Sequence, residues 1–213
     1  MVGADFLNCP VMVSDDGPFI PLPTHVNFRL TPRRESDVDD LLVLYNTPEI
    51  GRWFWQRPYP YRRSDAQSFV DRVPAFNAQL AVVINSLPNP PTFPQPHSER
   101  LFPFSVLREV TSDKLVGMMF LGPGEDEGTW EMAYDLHPAF WGRGVGSGMI
   151  QATLAYARWL GARRVVAFHE PENTPSHIVL RKAGFTRAGD KEMDWPEEKG
   201  GGKKLVYGWE YWC

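Results

Sequence analysis

The stretch AFWGRGVGSGM, residues 139–149, carries glycine at positions 142, 144, 146 and 148. Before it, TWEMAYDL (129–136) alternates apolar and polar residues like a half-buried strand, and after it MIQATLAYARWL (149–160) repeats apolar residues at helical spacing. The order strand, glycine loop, helix predicts an anion site, because the first amides of a helix have no partner within it and glycines allow a ligand to approach the backbone.

The spacing of the glycines distinguishes three known phosphate-binding loops. A dinucleotide-binding G-x-G-x-x-G motif would need its third glycine where Ser147 or Met149 stands, which argues against a nicotinamide oxidoreductase. A Walker loop would need a lysine after the glycines, and none follows. The third pattern, R/Q-x-x-G-x-G/A, matches residues 141–146 at every fixed position except the first, which is Trp141.

These residues resemble the GNAT acetyltransferase superfamily, in particular its ribosomal-protein alanine N-acetyltransferases. In that branch the pattern E-x-x-Y-x-L-x-P-x-x-W-G-x-G is common, and here its fixed positions are Glu131, Tyr134, Leu136, Pro138, Trp141, Gly142 and Gly144. The segments RLTPRRESDVDDLLVLYNTPEI (29–50) and ENTPSHIVLRKAGF (172–185) resemble the family's opening strand and helix and a downstream signature. The resemblance covers residues 26–212.

The resemblance implies an α/β (α+β) GNAT fold, with a mixed, mostly antiparallel sheet of about six to seven strands flanked by about four helices. The order read along the chain is β-α-α-β-β-β-α-β-α-β-β. Residues 1–24 contain four prolines and little periodicity, and are predicted to be an N-terminal extension lying over the surface. Residues 25–213 are predicted to form a single acetyltransferase domain with a proline-rich insertion at about 87–103.

Composition narrows the class of protein. The chain has 213 residues and a net charge of −4, so no basic field favours nucleic acid or an anionic membrane, and pairs such as Arg33-Arg34 are expected to be solvated. Its two cysteines, Cys9 and Cys213, and its five histidines show no disulfide framework or metal-ligand spacing. We expect a cytoplasmic protein, monomeric or homodimeric, without a metal.

The resemblance implies acetyl-CoA as co-substrate. Its diphosphate would be held by amides from about Trp141 to Ser147, and the end of the preceding strand, at Asp135 and Leu136, would pair with the pantetheine arm. An amide near Leu136 would also stabilise the carbonyl oxygen as it gains charge. The predicted cofactor-binding residues are Leu136, Trp141, Gly142, Arg143, Gly144, Val145, Gly146, Ser147 and Asn173.

The resemblance also suggests the acid and base of the reaction. Many relatives carry a tyrosine seven residues after the motif asparagine, but that position is Leu180 here. The ribosomal-protein branch uses N-x-x-S instead, which Asn173 and Ser176 match, so Ser176 is predicted to protonate the departing thiolate. The base is left open between Glu131 and Asp135 on one face of a strand, an acidic residue at 192 or 194, and a water relay.

The acceptor is predicted to bind at an aromatic loop, GRWFWQRPYPY (51–61), between the first two helices. Trp53, Trp55 and Tyr59 are its predicted substrate-binding residues. The expected function is transfer of an acetyl group from acetyl-CoA to a primary amine, either a protein N-terminus or a small molecule, by direct attack in a ternary complex. The alternative is a catalytically silent acyl-CoA-binding module that engages a protein partner.

Overall fold

The computed structural model describes residues 9–53 and 57–213, and in these residues nine strands form one sheet. The strands are β1 (Met12–Ser14), β2 (Gly17–Pro21), β3 (Phe28–Thr31), β4 (Val106–Glu109), β5 (Leu115–Pro123), β6 (Thr129–Leu136), β7 (Arg164–His169), β8 (Thr186–Asp194) and β9 (Lys203–Trp212). Their order across the sheet is β1-β2-β3-β4-β5-β6-β7-β9-β8. Every neighbouring pair is antiparallel except β6 and β7, which run parallel. The predicted mixed, mostly antiparallel α/β class is therefore confirmed, with more strands than the six to seven expected.

Six α-helices accompany the sheet in the described residues. They are α1 (Val38–Asn46), α2 (Pro48–Gly51), α3 (Arg63–Asp71), α4 (Val73–Ser86), α5 (Val145–Trp159) and α6 (Thr174–Lys182). The count exceeds the four expected partly because one predicted helix divides at Arg72 into α3 and α4. Pro74 lies in the first turn of α4, where the missing N–H of proline costs nothing.

The two additional strands come from the N-terminal extension. Residues 12–21 form the hairpin of β1 and β2, and β2 pairs with β3 through Ile20 and Leu30. Ile20 and Leu22 are buried in the core, so this part of the extension belongs to the sheet rather than lying over it. The prolines at 18 and 21 concealed the strand in the sequence, because they lie near the ends of β2 where a lost N–H is tolerated.

The sheet separates two apolar layers. Neighbouring residues of β5 alternate between them, since Met118 packs with α1 and α3 while Met119 packs with α5. In β6, Met132 belongs to the α5 layer, whereas Asp135 reaches Tyr45 of α1 on the opposite face. Consecutive residues of β6 therefore serve different faces of the sheet.

A buried ion pair ties β4 to the segment before α1. The Arg108 guanidinium donates to the Asp37 carboxylate at 2.9 Å, and the two side chains are 2% and 1% exposed. Arg108 also donates to Thr31 of β3 and to the Asp113 carbonyl, so its charge is fully partnered. This network fixes the start of α1 against the sheet.

We expect Arg108→Ala to lower the free energy of unfolding by about 3–5 kcal/mol, because the Asp37 carboxylate is then buried without a counterion. Arg63→Ala breaks an ion pair with Asp39 whose side chains are 70% and 78% exposed, and should cost about 1 kcal/mol or less. Urea denaturation followed by tryptophan fluorescence measures both variants. Equal losses would contradict the structural role given to Arg108.

Candidate active site

The parallel strands β6 and β7 separate before either one ends. Their paired register stops at Met132 and Ala167, although β6 continues to Leu136 and β7 continues along β9. The His137 N–H donates to the Val116 carbonyl of β5 at 2.8 Å. Because main-chain groups alternate along a strand, Leu136 directs its N–H to the other side, into the gap. The gap therefore contains a main-chain donor between the two faces of the sheet.

The glycine loop lies at the mouth of α5. Gly142 and Gly144 have φ of +71° and +83°, a region that L-residues with side chains rarely adopt. Gly144 is the N-cap of α5, and the hydrogen bonds of the helix begin with the Gly148 N–H donating to the Gly144 carbonyl at 3.0 Å. The N–H groups of residues 145–147 thus have no partner within the helix, and a glycine cap has no side chain to cover them.

The main-chain amide of Trp141, which was predicted to bind the diphosphate, has a partner within the protein. Its amide donates to the Pro138 carbonyl at 3.0 Å, in a 3-10 turn over Pro138–Phe140, and is therefore not available to a diphosphate. Its indole Nε1 donates to the Leu136 carbonyl at 2.6 Å. Trp141 thus ties the glycine loop to the end of β6, and the amides available for an anion begin after it.

The segment between β2 and β3 packs on the glycine loop, which the sequence analysis did not predict. The His25 ring Nε2 lies 2.8 Å from the Arg143 carbonyl, and its Nδ1 lies 2.8 Å from the Thr24 hydroxyl. A Cβ on Gly148 would lie only 3.4 Å from Leu22 and 3.3 Å from His25. A side chain at position 148 would therefore press on both residues.

Two hydroxyl groups meet on the α5–α6 face of the sheet, beside the gap. The Asn173 side chain accepts from the Ser176 N–H at 3.3 Å and caps α6, which places Ser176 in its first turn. Ser176 Oγ lies 3.0 Å from the Tyr134 hydroxyl of β6. Burial raises the pKa of Tyr134, so its hydroxyl stays protonated. Leu180, at the family's tyrosine position, is buried in the core, and Tyr134 supplies a phenol from the strand instead.

A cavity of about 440 Å³ lies on the opposite face of the sheet, between β5 and β6 on one side and α1, α3 and residues 57–61 on the other. Its volume is within the range of small-molecule sites. It is lined by Arg33, Tyr45, Arg57, Pro58, Tyr61, Ser64, Asp65, Ser68, Phe69, Arg72, Met118, Met119, Phe120, Ala133 and Asp135.

Asp135 lines this cavity immediately after Tyr134 in β6. Its carboxylate accepts from Arg57 at 2.9 Å and from the Tyr45 hydroxyl at 3.3 Å. Burial raises the pKa of Asp135, and the Arg57 charge opposes part of that effect. A carboxylate with a raised pKa is a stronger base than an ordinary one, which suits it to accept a proton.

The other predicted carboxylates lie elsewhere. Glu131 shares the face of Asp135 but does not line the cavity, and burial raises its pKa against the attraction of Lys191. Glu192 and Asp194 are exposed on β8. Of the side chains that the sequence offered as a base, the structure brings Asp135 alone to the cavity.

The aromatic loop contributes to the cavity with other residues than those predicted. Trp53 and Tyr59 do not line it, and the Tyr59 ring packs over Gly51, where a Cβ would collide with it. Trp55 lies outside the described residues. The sequence could not show which way the side chains of this loop point. The loop residues that line the cavity are Arg57, Pro58 and Tyr61.

Arginines are the cavity residues that sequence reasoning missed. Arg33 was expected to be solvated with Arg34, yet only Arg34 pairs with an exposed carboxylate. The Arg33 side chain turns inward, and its Nε donates to the buried Ser105 hydroxyl at 2.8 Å. Arg57 and Arg72 join it from the loop and from the end of α3. The only feature of the sequence that could have indicated these arginines was the Arg33-Arg34 pair, which follows the first predicted strand.

Among residues 9–53 and 57–213, no helix has the length and apolar character needed to cross a membrane. No group of three or more histidine, cysteine, aspartate or glutamate residues there is arranged to hold a metal ion.

Comparison with known sequences gives one family. The profile of the acetyltransferase (GNAT) domain matches residues 27–186. The uncharacterized N-acetyltransferase YnaD of Bacillus subtilis (strain 168) is 32% identical over 85 residues, which make up 39% of this chain and 49% of YnaD. The uncharacterized N-acetyltransferase p20 of Bacillus licheniformis is 32% identical over 87 residues, or 40% of this chain and 49% of p20. The match thus spans about half the length of these curated relatives.

Comparison with solved structures agrees. An acetyltransferase (GNAT family) from Bacillus anthracis superposes with a TM-score of 0.66 at 17% identity, over 91% of this chain and 98% of that one. Mycobacterium smegmatis RimJ in complex with CoA-disulfide superposes with a TM-score of 0.63 at 17% identity, over 87% of this chain and 82% of that one. These likenesses confirm the predicted GNAT fold.

A pair of glycine variants tests whether the loop holds a ligand. Gly142 in the loop and Gly161 after α5 have φ of +71° and +79°, and a Cβ at either position would meet nothing within 4 Å. Alanine at such a φ costs about 1–2 kcal/mol in either place. We expect only Gly142→Ala to weaken binding of acetyl-CoA, the ligand that the resemblance implies, by about tenfold in calorimetry. If the affinity of Gly142→Ala for acetyl-CoA were unchanged, the loop would be only a tight turn between strand and helix, without a role in binding the ligand.

Proposed function

Because the chain belongs to the acetyltransferase (GNAT) domain family, we propose that it transfers the acetyl group of acetyl-CoA to a primary amine by direct attack in a ternary complex. The observation that carries this proposal is the arrangement of two consecutive residues where β6 leaves β7. Tyr134 meets the Ser176 hydroxyl on one face of the sheet, and Asp135 lines the cavity on the other. Donor and acceptor can therefore approach the same gap from opposite faces.

The residues around the gap suit coenzyme A. The amides of residues 145–147 would hold its diphosphate, with Gly142 and Gly144 giving the loop its shape. The Leu136 N–H, directed into the gap, would donate to the thioester carbonyl oxygen as that oxygen gains charge. Asn173 would act by capping α6 and fixing Ser176, since its amide oxygen is engaged there. The bound co-substrate supplies an activated acetyl group.

Asp135 is proposed as the base on the acceptor side. An α-amine has a pKa of about 8 and must lose a proton to attack. In the transfer the amine nitrogen bonds to the acetyl carbon, the carbon–sulfur bond breaks, and the amine proton passes to the Asp135 carboxylate. Arg57 and Tyr45 hold that carboxylate in place.

Ser176 and Tyr134 are proposed to protonate the departing sulfur. Their hydroxyls are 3.0 Å apart and the Tyr134 hydroxyl is kept protonated by burial, so a proton given by one can be replaced from the other. This pair takes the place of the helix tyrosine that Leu180 rules out.

A silent acyl-CoA-binding module would bind acetyl-CoA and release no coenzyme A with any amine.

We expect Ser176→Ala and Tyr134→Phe each to lower turnover at least about tenfold, which is the small end of the usual contribution of a proton-transfer group. Acetyl-CoA affinity should stay nearly unchanged, because neither hydroxyl lies at the glycine loop. Tyr156→Phe is the matched control, since its hydroxyl is also buried but has no hydrogen-bond partner in the described residues. Turnover is measured as coenzyme A release across a panel of amines and peptides. Wild-type turnover in Ser176→Ala would remove Ser176 from the mechanism.

The two carboxylates of β6 can be distinguished by the pH profile of kcat/KM. The Asp135 carboxylate is the active form, and its pKa is raised by burial, so activity falls as the pH is lowered through that value. In Asp135→Asn only the ammonium of the acceptor still titrates, and we expect the acid side of the profile to become less steep. Asparagine keeps an oxygen for Arg57. If Glu131→Gln flattened the profile and Asp135→Asn did not, Glu131 would be the base.

A further inference from the structure

The acceptor cavity is positively charged inside an acidic protein. Its lining has three arginines (33, 57 and 72) and two aspartates (65 and 135), a balance of +1, whereas the chain carries −4. A local charge of the opposite sign to the whole molecule marks a site that selects its ligand by charge.

Both aspartates already have partners. Asp135 accepts from Arg57 and Tyr45, and the Asp65 carboxylate accepts from the Arg62 N–H at the start of α3. Arg57 is thereby committed to Asp135. No carboxylate that the structure describes lies within ion-pairing distance of Arg33 or Arg72.

Arg33 and Arg72 pack on the same aromatic ring. Their guanidinium carbons lie 3.6 Å and 5.4 Å from the centre of the same ring, that of Phe76. Burial, and after it the repulsion of Arg72, lowers the pKa of Arg33 to about 9. Ser64 and Ser68 precede Arg72 at intervals of four residues, on the side of α3 that lines the cavity. Ser68 already donates its hydroxyl to the Asp65 carbonyl at 2.7 Å. Two cations and the Ser64 hydroxyl therefore form a site whose charge a bound anion would neutralise.

We infer that the acceptor is a small primary amine that carries an anionic group, a carboxylate or a phosphate, bound by Arg33 and Arg72 while its amine faces Asp135. This inference rests on the proposed function and names the substrate class of the same site. The planar fork of arginine matches both kinds of anion. The cavity volume of about 440 Å³ suits a small molecule.

Coenzyme A release from acetyl-CoA is measured with amines that share a carbon chain and differ in the charge of the group at its other end: γ-aminobutyrate, n-butylamine and putrescine in one set, phosphoethanolamine and ethanolamine in another. We expect kcat/KM for at least one anionic amine to exceed that of its neutral counterpart by about tenfold or more. The set with the larger preference for the anionic amine shows whether the anionic group of the acceptor is a carboxylate or a phosphate. A peptide with an acidic N-terminus is included, and a preference for it over the small amines would overturn the assignment to a small molecule.

Arginine variants give the second readout. Arg72 is exposed at the end of α3, so Arg72→Ala should fold, and we expect it to raise KM for the anionic amine about 10–100-fold and to leave the neutral amine unchanged. Arg72→Glu should reverse the order, favouring putrescine. The matched control is Arg63→Ala, which removes a positive charge from the same helix without touching the cavity.

The outcomes separate the two proposals. Release that is as fast with n-butylamine or putrescine as with γ-aminobutyrate, and as fast with ethanolamine as with phosphoethanolamine, would overturn the anionic acceptor and support acetyl transfer. Equal losses for charged and neutral amines in Arg72→Ala would also overturn it. No release with any acceptor, despite binding of acetyl-CoA, would overturn the proposed function and this inference with it.

Discussion

The separation of β6 from β7 is the constraint on which the rest of the site depends. A parallel pair that stayed joined would use the main-chain groups of both strands and close the sheet between its two faces. Here β7 remains paired with β9, while the end of β6 is held by β5 and by the Trp141 indole on the Leu136 carbonyl. Each of the two strands is therefore paired at the edge away from the gap, while the Trp141 indole occupies the Leu136 carbonyl on the gap side. Tyr134 and Asp135 lie beside the gap on opposite faces of the sheet.

Burying charged side chains in the acceptor cavity costs electrostatic free energy, and these charges suit the role proposed for the cavity. Placing Asp135 and Arg33 in a half-enclosed cavity disfavours the charged form of each, which raises the pKa of the acid and lowers that of the guanidinium. Apolar residues in place of Arg33 and of the whole Asp135–Arg57 pair would avoid that cost. Retaining them is consistent with a site shaped for a charged ligand and a proton transfer rather than for stability.

What the sequence could predict was local. The strand, the glycine loop and the helix are contiguous, so spacing alone located the proposed anion site, and the first-turn position of Ser176 followed from its own motif. The sequence could not predict which way a side chain points in the folded protein. Tyr59 packs on Gly51, and Arg33 turns inward to Ser105 although its segment was expected to be solvated. The phenol beside Ser176 comes from a strand 42 residues away, so no local pattern could join the two.

The four glycines of the loop serve three different needs, and one of them bears on the ligand. Gly142 and Gly144 have a positive φ that favours glycine, and a Cβ on Gly148 would press on Leu22 and His25. Gly146 has an ordinary helical φ, and a Cβ there would make only normal contacts, at 3.7 Å, with Leu136 and Val179. Neither its conformation nor its packing excludes a side chain, and glycine in the first turn of a helix carries a conformational cost. Glycine at 146 is consistent with the proposed diphosphate site, because it leaves the space over the free amides of α5 open.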